Sequence, residues 1–161
     1  MILDKIGEAS RNMIDVMNDI VWAVHPKNDQ FENVLQRMQY FAGELLSGKN
    51  ILLQFETDER SKNIKLPMEK RKNFYLIFKE AVTNAYKYSG SRTLHVKIYI
   101  YKNILCMTVG DEGEGFGTTK TSLAGNGLKN MQQRAEEINA YLNITSSLQK
   151  GTMVELKMPL V

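Results

Sequence analysis

The sequence has few of the residues that mark several large classes of protein. A single cysteine, Cys106, stands among 161 residues, so no disulfide can form within the chain and a disulfide-stabilised scaffold is excluded. Cys106 lies in an apolar run and is expected to be a buried small side chain. No run of about 20 apolar residues is present, and the first residues lack the apolar core of a signal peptide. We therefore expect no membrane-spanning segment in this chain and a cytoplasmic location.

A large excess of one charge is also missing. Lysine and arginine number 21 against 18 acidic residues, which gives a formal net charge of +3. No basic block is interleaved with aromatic residues, so we expect no nucleic acid partner. Apolar residues make up 43% and charged residues 24% of the chain, a composition that buries a core and argues against disorder. The length suits one domain with an appended helix.

Residues 2–24 carry the pattern of one long amphipathic helix. Their apolar residues recur at alternating spacings of four and three, as in one helix of a coiled coil. Pro26 is expected to end the helix, because the residue before a proline avoids the α conformation. The residues that form this apolar seam are Ile2, Ile6, Ala9, Met13, Val16, Ile20 and Ala23.

The rest of the chain predicts an α+β fold, in which a mixed sheet is covered by a layer of helices. Asn28 or Asp29 is expected to cap the second helix, and Gly48 to end it in the left-handed conformation. Lys102 and Asn103 form the expected two-residue turn of a hairpin. Such hairpins require antiparallel neighbours, which excludes an all-parallel sheet. The predicted elements are helices 29–48, 68–88 and 126–139, and strands 51–55, 94–101, 104–109, 141–147 and 152–158.

Two glycine clusters flank the segment between a strand and the last helix. D-E-G-E-G-F at 111–116 follows the strand, and G-N-G-L at 125–128 opens the helix. Glycines let a ligand approach the backbone closely, and a helix N-terminus offers free amide donors to phosphate. The spacing matches neither a Walker A loop nor a dinucleotide-binding fingerprint. Taken alone, the two clusters are equally compatible with two flexible turns.

The predicted helix 68–88 places three polar side chains on one face. Glu80, Asn84 and Lys87 stand at positions i, i+4 and i+7. A carboxylate, an amide oxygen and an ammonium group so arranged can hold a magnesium ion and a polyphosphate, because magnesium prefers oxygen ligands and shares its shell with water and phosphate. The alternative is a solvated face with a helix-stabilising Glu–Lys pair.

Four ordered motifs together resemble those of the GHKL ATPases. E-A-V-T-N-A-Y-K-Y-S resembles the N-box of that family, D-E-G-E-G-F its first glycine box, G-N-G-L-K-N-M-Q-Q-R-A its second, and K-G-T-M-V-E-L its closing G-T strand. The resemblance covers residues 28–161. Within the family, these motifs resemble those of the sensor histidine kinases with a short nucleotide lid. The resemblance implies a Bergerat-type ATP-binding fold, a two-layer α/β sandwich, as a catalytic domain over residues 27–161. Residues 1–26 would be the remnant second helix of a dimerisation domain.

The resemblance also assigns the residues that would bind ATP and magnesium. Asp111 would accept a hydrogen bond from the adenine amino group, with Thr152 supporting the base. Asn84 would be the magnesium ligand, and Glu80 would orient or deprotonate the attacking group. The remaining positions implied to surround the nucleotide are Lys87, Tyr88, Gly113, Gly115, Gly125, Asn126, Gly127 and Leu128.

The implied function is phosphoryl transfer from Mg-ATP to a histidine, for relay to the receiver domain of a response regulator. The phosphoacceptor histidine is expected outside this chain, because His25 lacks the acidic neighbour typical of one and His95 lies in a predicted strand. The fragment is therefore expected to bind ATP without labelling itself, and to belong to a homodimeric, membrane-bound sensor. The alternatives are an anti-sigma-type serine kinase with the same pocket, and a nucleotide-gated interaction module without catalysis.

Overall fold

Five strands form one mixed sheet, and the helices that form the core pack on one of its faces. The computed structural model describes residues 1–115 and 126–161. The strand order is β1-β2-β3-β5-β4, with β1 parallel to β2 and the other neighbours antiparallel. The helices are α1 (Ile2–Val24), α2 (Phe31–Ser47), α3 (Glu59–Lys62), α4 (Met68–Tyr88) and α5 (Gly127–Glu137). The strands are β1 (Leu52–Thr57), β2 (Thr93–Tyr101), β3 (Ile104–Asp111), β4 (Tyr141–Ser147) and β5 (Gly151–Pro159).

The predicted α+β class and mixed sheet are confirmed. α1 and α4 begin and end at the predicted residues, and the remaining predicted elements agree within a few residues. Lys102 and Asn103 both have positive φ, 46° and 63°, as a two-residue hairpin turn requires. Two short elements were not predicted, α3 and a 3₁₀ turn at Pro26–Asn28, because neither is long enough to show a periodicity.

Two predictions about the ends of α2 are wrong. The residue before α2 is Gln30, whereas Asn28 lies in the 3₁₀ turn and donates through Nδ2 to the Trp22 carbonyl at 2.8 Å. Asn28 therefore caps the end of α1. Gly48 has a right-handed φ of −63°, and Asn50 takes the left-handed conformation instead. A Cβ at Gly48 would lie 3.2 Å from the Tyr86 hydroxyl, so this glycine serves a close approach between α2 and α4.

The hydrophobic core lies between the sheet and helices α2, α4 and α5. On β2 the inward positions Leu94, Val96 and Ile98 are buried and alternate with more exposed residues, as one covered face predicts. α4 is the central helix and contributes ten buried residues. Cys106 is buried, which confirms the expectation from its apolar surroundings.

The N-terminal helix α1 is attached to this core only near its C-terminal end. Its buried residues are Asp19 and Ala23, whereas the seam residues Ile2, Ile6 and Met13 are exposed. α1 packs against α4 and then enters the 3₁₀ turn. Among the described residues, no helix combines the length and the hydropathy needed to cross a bilayer.

Candidate nucleotide-binding site

A cavity of about 370 Å³ opens where the C-terminal half of α4 meets the ends of β3 and β5 and the start of α5. Its volume falls within the range of small-ligand sites, about 300–1,000 Å³. Residues from both glycine clusters and from α4 are brought together here. The predicted site residues that line the cavity are Asn84, Lys87, Tyr88, Asp111, Gly115, Leu128 and Thr152.

Asp111 is the half-buried carboxylate of this cavity. It ends β3, and its Oδ1 accepts a hydrogen bond from the Gly113 amide at 2.9 Å. Burial raises the pKa of Asp111 above its usual value, and backbone hydrogen bonds from Gly113 and Thr152 partly oppose the rise. A carboxylate held this way keeps acceptor capacity for a ligand, since each oxygen can accept more than one hydrogen bond.

Two polar side chains of α4, Asn84 and Lys87, line the cavity. Within residues 1–115 and 126–161, neither Asn84 nor Lys87 makes a hydrogen bond or an ion pair. They lie on the face of α4 that also presents Ala81 and Ala85 to the cavity. These small side chains leave the space open, while an amide oxygen and an ammonium group remain available to a ligand.

Glu80 lies outside the cavity, on the neighbouring side of α4. Its carboxylate contacts the first residue of α5, so that a Cβ added to Gly127 would collide with Glu80 Oε1. Gly113, Asn126 and Gly127 are described but are not part of the cavity wall. Gly125 lies outside the described residues. The roles assigned to these residues by the resemblance stay predictions.

The glycines near Asp111 allow backbone segments to approach one another. A Cβ at Gly113 would collide with the Ser89 carbonyl, and a Cβ at Gly115 would collide with the carbonyl of Ser147. Gly115 also has a positive φ of 64°. Between these glycines, the Glu114 amide donates to the Ser89 carbonyl at 2.7 Å. The loop that follows β3 is thereby fixed to the end of α4, which holds Asp111 in place.

We expect Gly113→Ala to destabilise the protein by about 1–3 kcal/mol. The added methyl group would collide with the backbone carbonyl of Ser89, which cannot move aside as a flexible side chain could. ATP affinity should fall as well, since the Gly113 amide holds the Asp111 carboxylate. Urea denaturation measures the first effect and calorimetric titration the second. Gly43→Ala is the matched control, because Gly43 is an exposed residue of α2 with no atom within 4 Å of its added Cβ. It should be neutral or stabilising.

The floor of the cavity is apolar, and none of the sequence motifs indicates it. Val109, Ile144 and Val154 are neighbours across β3, β5 and β4, and Met131 of α5 completes the floor. The alternation along each strand marks these positions as inward-facing. It gives no sign that this part of the inner face borders a cavity, because that depends on how α4 and α5 are spaced over the sheet.

A second groove of about 470 Å³ adjoins the cavity and shares Lys87 and Met131 with it. One wall is the middle of α1, which contributes Glu8 and Asp15. The opposite wall comes from α4 and α5 and carries the charged residues Lys79, Glu80, Lys87 and Arg134. The groove separates the greater part of α1 from the domain.

Comparison with known proteins places these features in a family. Residues 69–161 match the family described as histidine kinase-, DNA gyrase B-, and HSP90-like ATPase. Sensor protein VraS of Staphylococcus haemolyticus is 32% identical over 98 residues, which are 61% of this chain and 28% of that protein. VraS of Staphylococcus epidermidis is 33% identical over 88 residues, 55% of this chain and 25% of that protein. The matched region is thus little more than a quarter of each relative.

Solved structures share the fold at low sequence identity. The blue-light activated histidine kinase of Erythrobacter litoralis EL346 aligns with a TM-score of 0.75 and 20% identity, over 98% of this chain and 50% of that one. The histidine kinase AdeS of Acinetobacter baumannii aligns with a TM-score of 0.71 and 13% identity, over 98% and 81% of the two chains. Since the matched family covers more than half of the sequence, this chain belongs to the histidine kinase-, DNA gyrase B- and HSP90-like ATPases.

Proposed function

We propose that this chain is the ATP-binding catalytic domain of a two-component sensor histidine kinase. It would bind Mg-ATP and pass the γ-phosphate to a histidine on a helix outside this chain, for relay to the receiver domain of a response regulator. Residues 27–161 would be the catalytic domain and residues 1–26 the second helix of the dimerisation domain. The exposed seam of α1 supports homodimerisation, and we assign the domain to the cytoplasmic side of a membrane-bound sensor.

The observation that carries this proposal is the half-buried Asp111 carboxylate over an apolar floor. An adenine ring is flat and apolar on its faces, and it presents an amino group at one edge. Val109, Ile144 and Val154 offer apolar contacts to such a ring, and Asp111 offers the acceptor for its amino group. Guanine presents a carbonyl oxygen at the corresponding position, which a carboxylate repels. This donor and acceptor pattern supports adenine rather than guanine as the base.

The other end of the cavity suits a polyphosphate with magnesium. The Lys87 ammonium, which has no partner among the described residues, would attract phosphate oxygens, and the Asn84 amide would supply one oxygen ligand. Among the described residues, no cluster of three or more acidic, histidine or cysteine side chains forms a protein-only metal cage. The single Asn84 oxygen fits a magnesium ion that takes the rest of its shell from phosphate and water, and such an ion would neutralise charge that develops during phosphoryl transfer.

We expect Asn84→Ala to lose most of the magnesium-dependent part of ATP binding. Calorimetric titrations with and without magnesium measure this difference. Asn143→Ala is the matched control, because Asn143 is an exposed amide on β4 and should leave the magnesium response unchanged. If the ATP affinity of Asn84→Ala depends on magnesium as strongly as that of the parent, Asn84 is not a magnesium ligand.

A further inference from the structure

The attachment of α1 to the domain includes one buried carboxylate. Residues 2–18 of α1 are exposed except for the half-buried Gly7. Asp19 is 5% exposed and is, with Ala23, one of the two buried residues of this helix. Burying a carboxylate is unfavourable unless charged or hydrogen-bonding partners compensate it. Asp19 therefore adds a charge-dependent contact to the apolar packing of Ile20 and Trp22, which also hold α1 on the domain.

Two cations from two other helices meet Asp19. Arg37 of α2 donates to Asp19 Oδ1 at 2.9 Å, and Lys79 of α4 forms a close ion pair with Oδ2. The Arg37 guanidinium also lies 4.6 Å from the centre of the Trp22 ring of α1. Each oxygen of the Asp19 carboxylate thus pairs with a cation from a different helix, so α1, α2 and α4 meet at this carboxylate.

The cluster carries one negative charge against two positive charges. Arg37 Nε is buried and has no hydrogen-bond partner among the described residues. The side chains of Arg37 and Lys79 remain 29% and 22% exposed, so water can solvate both cations if Asp19 leaves. When this contact opens, its charged side chains therefore become solvated and are not left unpaired in the hydrophobic core. This distinguishes it from an ion pair enclosed in a hydrophobic core, which opens only when the core unfolds.

A second contact holds the C-terminal end of α1 independently. The buried Arg71 donates through Nε to the Ala23 carbonyl at 3.0 Å and pairs with Asp29 at 3.0 Å. Asn28 donates to the Trp22 carbonyl. If the Asp19 contact opens, α1 stays tethered at this end and can pivot about it.

We propose that Asp19, Arg37 and Lys79 form an electrostatic latch, which holds α1 beside the nucleotide-binding site and opens without unfolding the domain. Lys79 directly precedes Glu80, and α1 forms one wall of the groove that adjoins the nucleotide cavity. The closed latch therefore fixes the distance between α1 and the phosphate end of the cavity. Asp19 is a positioning residue in this arrangement. Its consequence for phosphoryl transfer rests on the proposed function, whereas the latch itself does not.

Hydrogen exchange of the full 161-residue chain tests the latch, at a concentration where sedimentation shows the monomer. In Asp19→Asn, the amides of residues 14–24 should exchange about tenfold faster or more, because weaker ion pairs release α1 more often and a released helix loses the packing that keeps it helical. The amides of residues 74–82 of α4 and the affinity for ATP should stay close to the parent's. Asp19→Glu should restore much of the protection. The matched control is Asp4→Asn, which removes the same charge from an exposed position on the same helix.

A second variant provides an independent measurement, which decides the outcome even if Asp19→Asn does not fold. Lys79→Met removes one of the two cations at a side chain that is 22% exposed, so α1 should lose protection while α4 keeps it. Unchanged exchange of α1 in Lys79→Met would overturn the latch. So would faster exchange of α1 and α4 together, because Asp19 would then contribute only to global stability. Neither result would bear on ATP binding by the parent chain, which tests the proposed function separately.

Discussion

Replacing Asp111 by asparagine should lower the affinity for ATP about tenfold to a hundredfold. The substitution keeps the size of the side chain but changes a charged acceptor into a neutral amide. A hydrogen bond to a charged group contributes about 1.5–3 kcal/mol, which corresponds to this loss of affinity. Calorimetric titration of parent and variant with ATP and with GTP measures the effect. The parent should prefer ATP, and Asp111→Asn should lose most of that preference.

Glu112→Gln is the matched control for this experiment. It removes the same charge one residue away, at an exposed side chain that is not part of the cavity wall. ATP affinity should change little, because no contact to the base is lost. Equal losses in the two variants would point to a general electrostatic effect, and an unchanged affinity in Asp111→Asn would remove Asp111 from the site.

The pH dependence of ATP binding should identify the same carboxylate. Burial raises the pKa of Asp111 above its usual value, and only the ionised form accepts the hydrogen bond without restriction. As pH is lowered, ATP affinity should therefore begin to fall at a higher pH than for an ordinary aspartate. In Asp111→Asn this part of the pH dependence should be absent.

Incubation with γ-labelled ATP should leave this chain without acid-labile label, although ATP binds. Each of the two histidines is badly placed for phosphoryl transfer within the chain. His95 is exposed on β2 and alternates with the buried Leu94 and Val96, so it lies on the face of the sheet opposite the helices. The cavity lies on the helix side. His95 therefore cannot approach a nucleotide bound there.

His25 is kept away from the cavity by the length of α4. It follows α1, whose Ala23 carbonyl is bound by Arg71 near the beginning of α4. Asn84 stands 13 positions further along the same helix, which corresponds to about 20 Å at 1.5 Å per residue. His25 Nδ1 also accepts a hydrogen bond from the Lys27 amide at 3.2 Å. Positioning supplies a large share of the rate of such reactions, so a histidine this distant should not react.

A supplied helical domain that carries a histidine next to an acidic residue should become labelled where the chain alone does not. The phosphoramidate bond is recognised by its lability in acid and its stability in alkali. Label with the opposite stability would indicate a serine kinase. Stoichiometric acid-labile label on the chain alone, lost in His25→Ala, would make His25 the phosphoacceptor and overturn the proposed division of the protein.

The sequence by itself determined the helices, the class of the sheet and most of the cavity residues. α4 was predictable to the residue, because Pro67 sets its start and its apolar positions repeat with the helical period. The same period put Asn84 and Lys87 on one face. Asp111 was predictable because it ends a strand and precedes glycines. These features depend on short stretches of chain, in which local geometry and hydrophobic patterning give the same answer.

Tertiary structure decided what depends on distant segments meeting. The seam of α1 showed an amphipathic helix, yet Asp19 gave no sign that it would be buried between Arg37 and Lys79, which are 18 and 60 positions away. The glycine box does not reveal that the backbone at Gly113 packs so closely on the Ser89 carbonyl that a Cβ would collide with it. Glu80 shares a helix face with Asn84 by spacing, but its carboxylate lies against Gly127 of α5 and does not line the cavity. Periodicity fixes the direction of a side chain on its own helix, while packing between elements selects what that side chain meets.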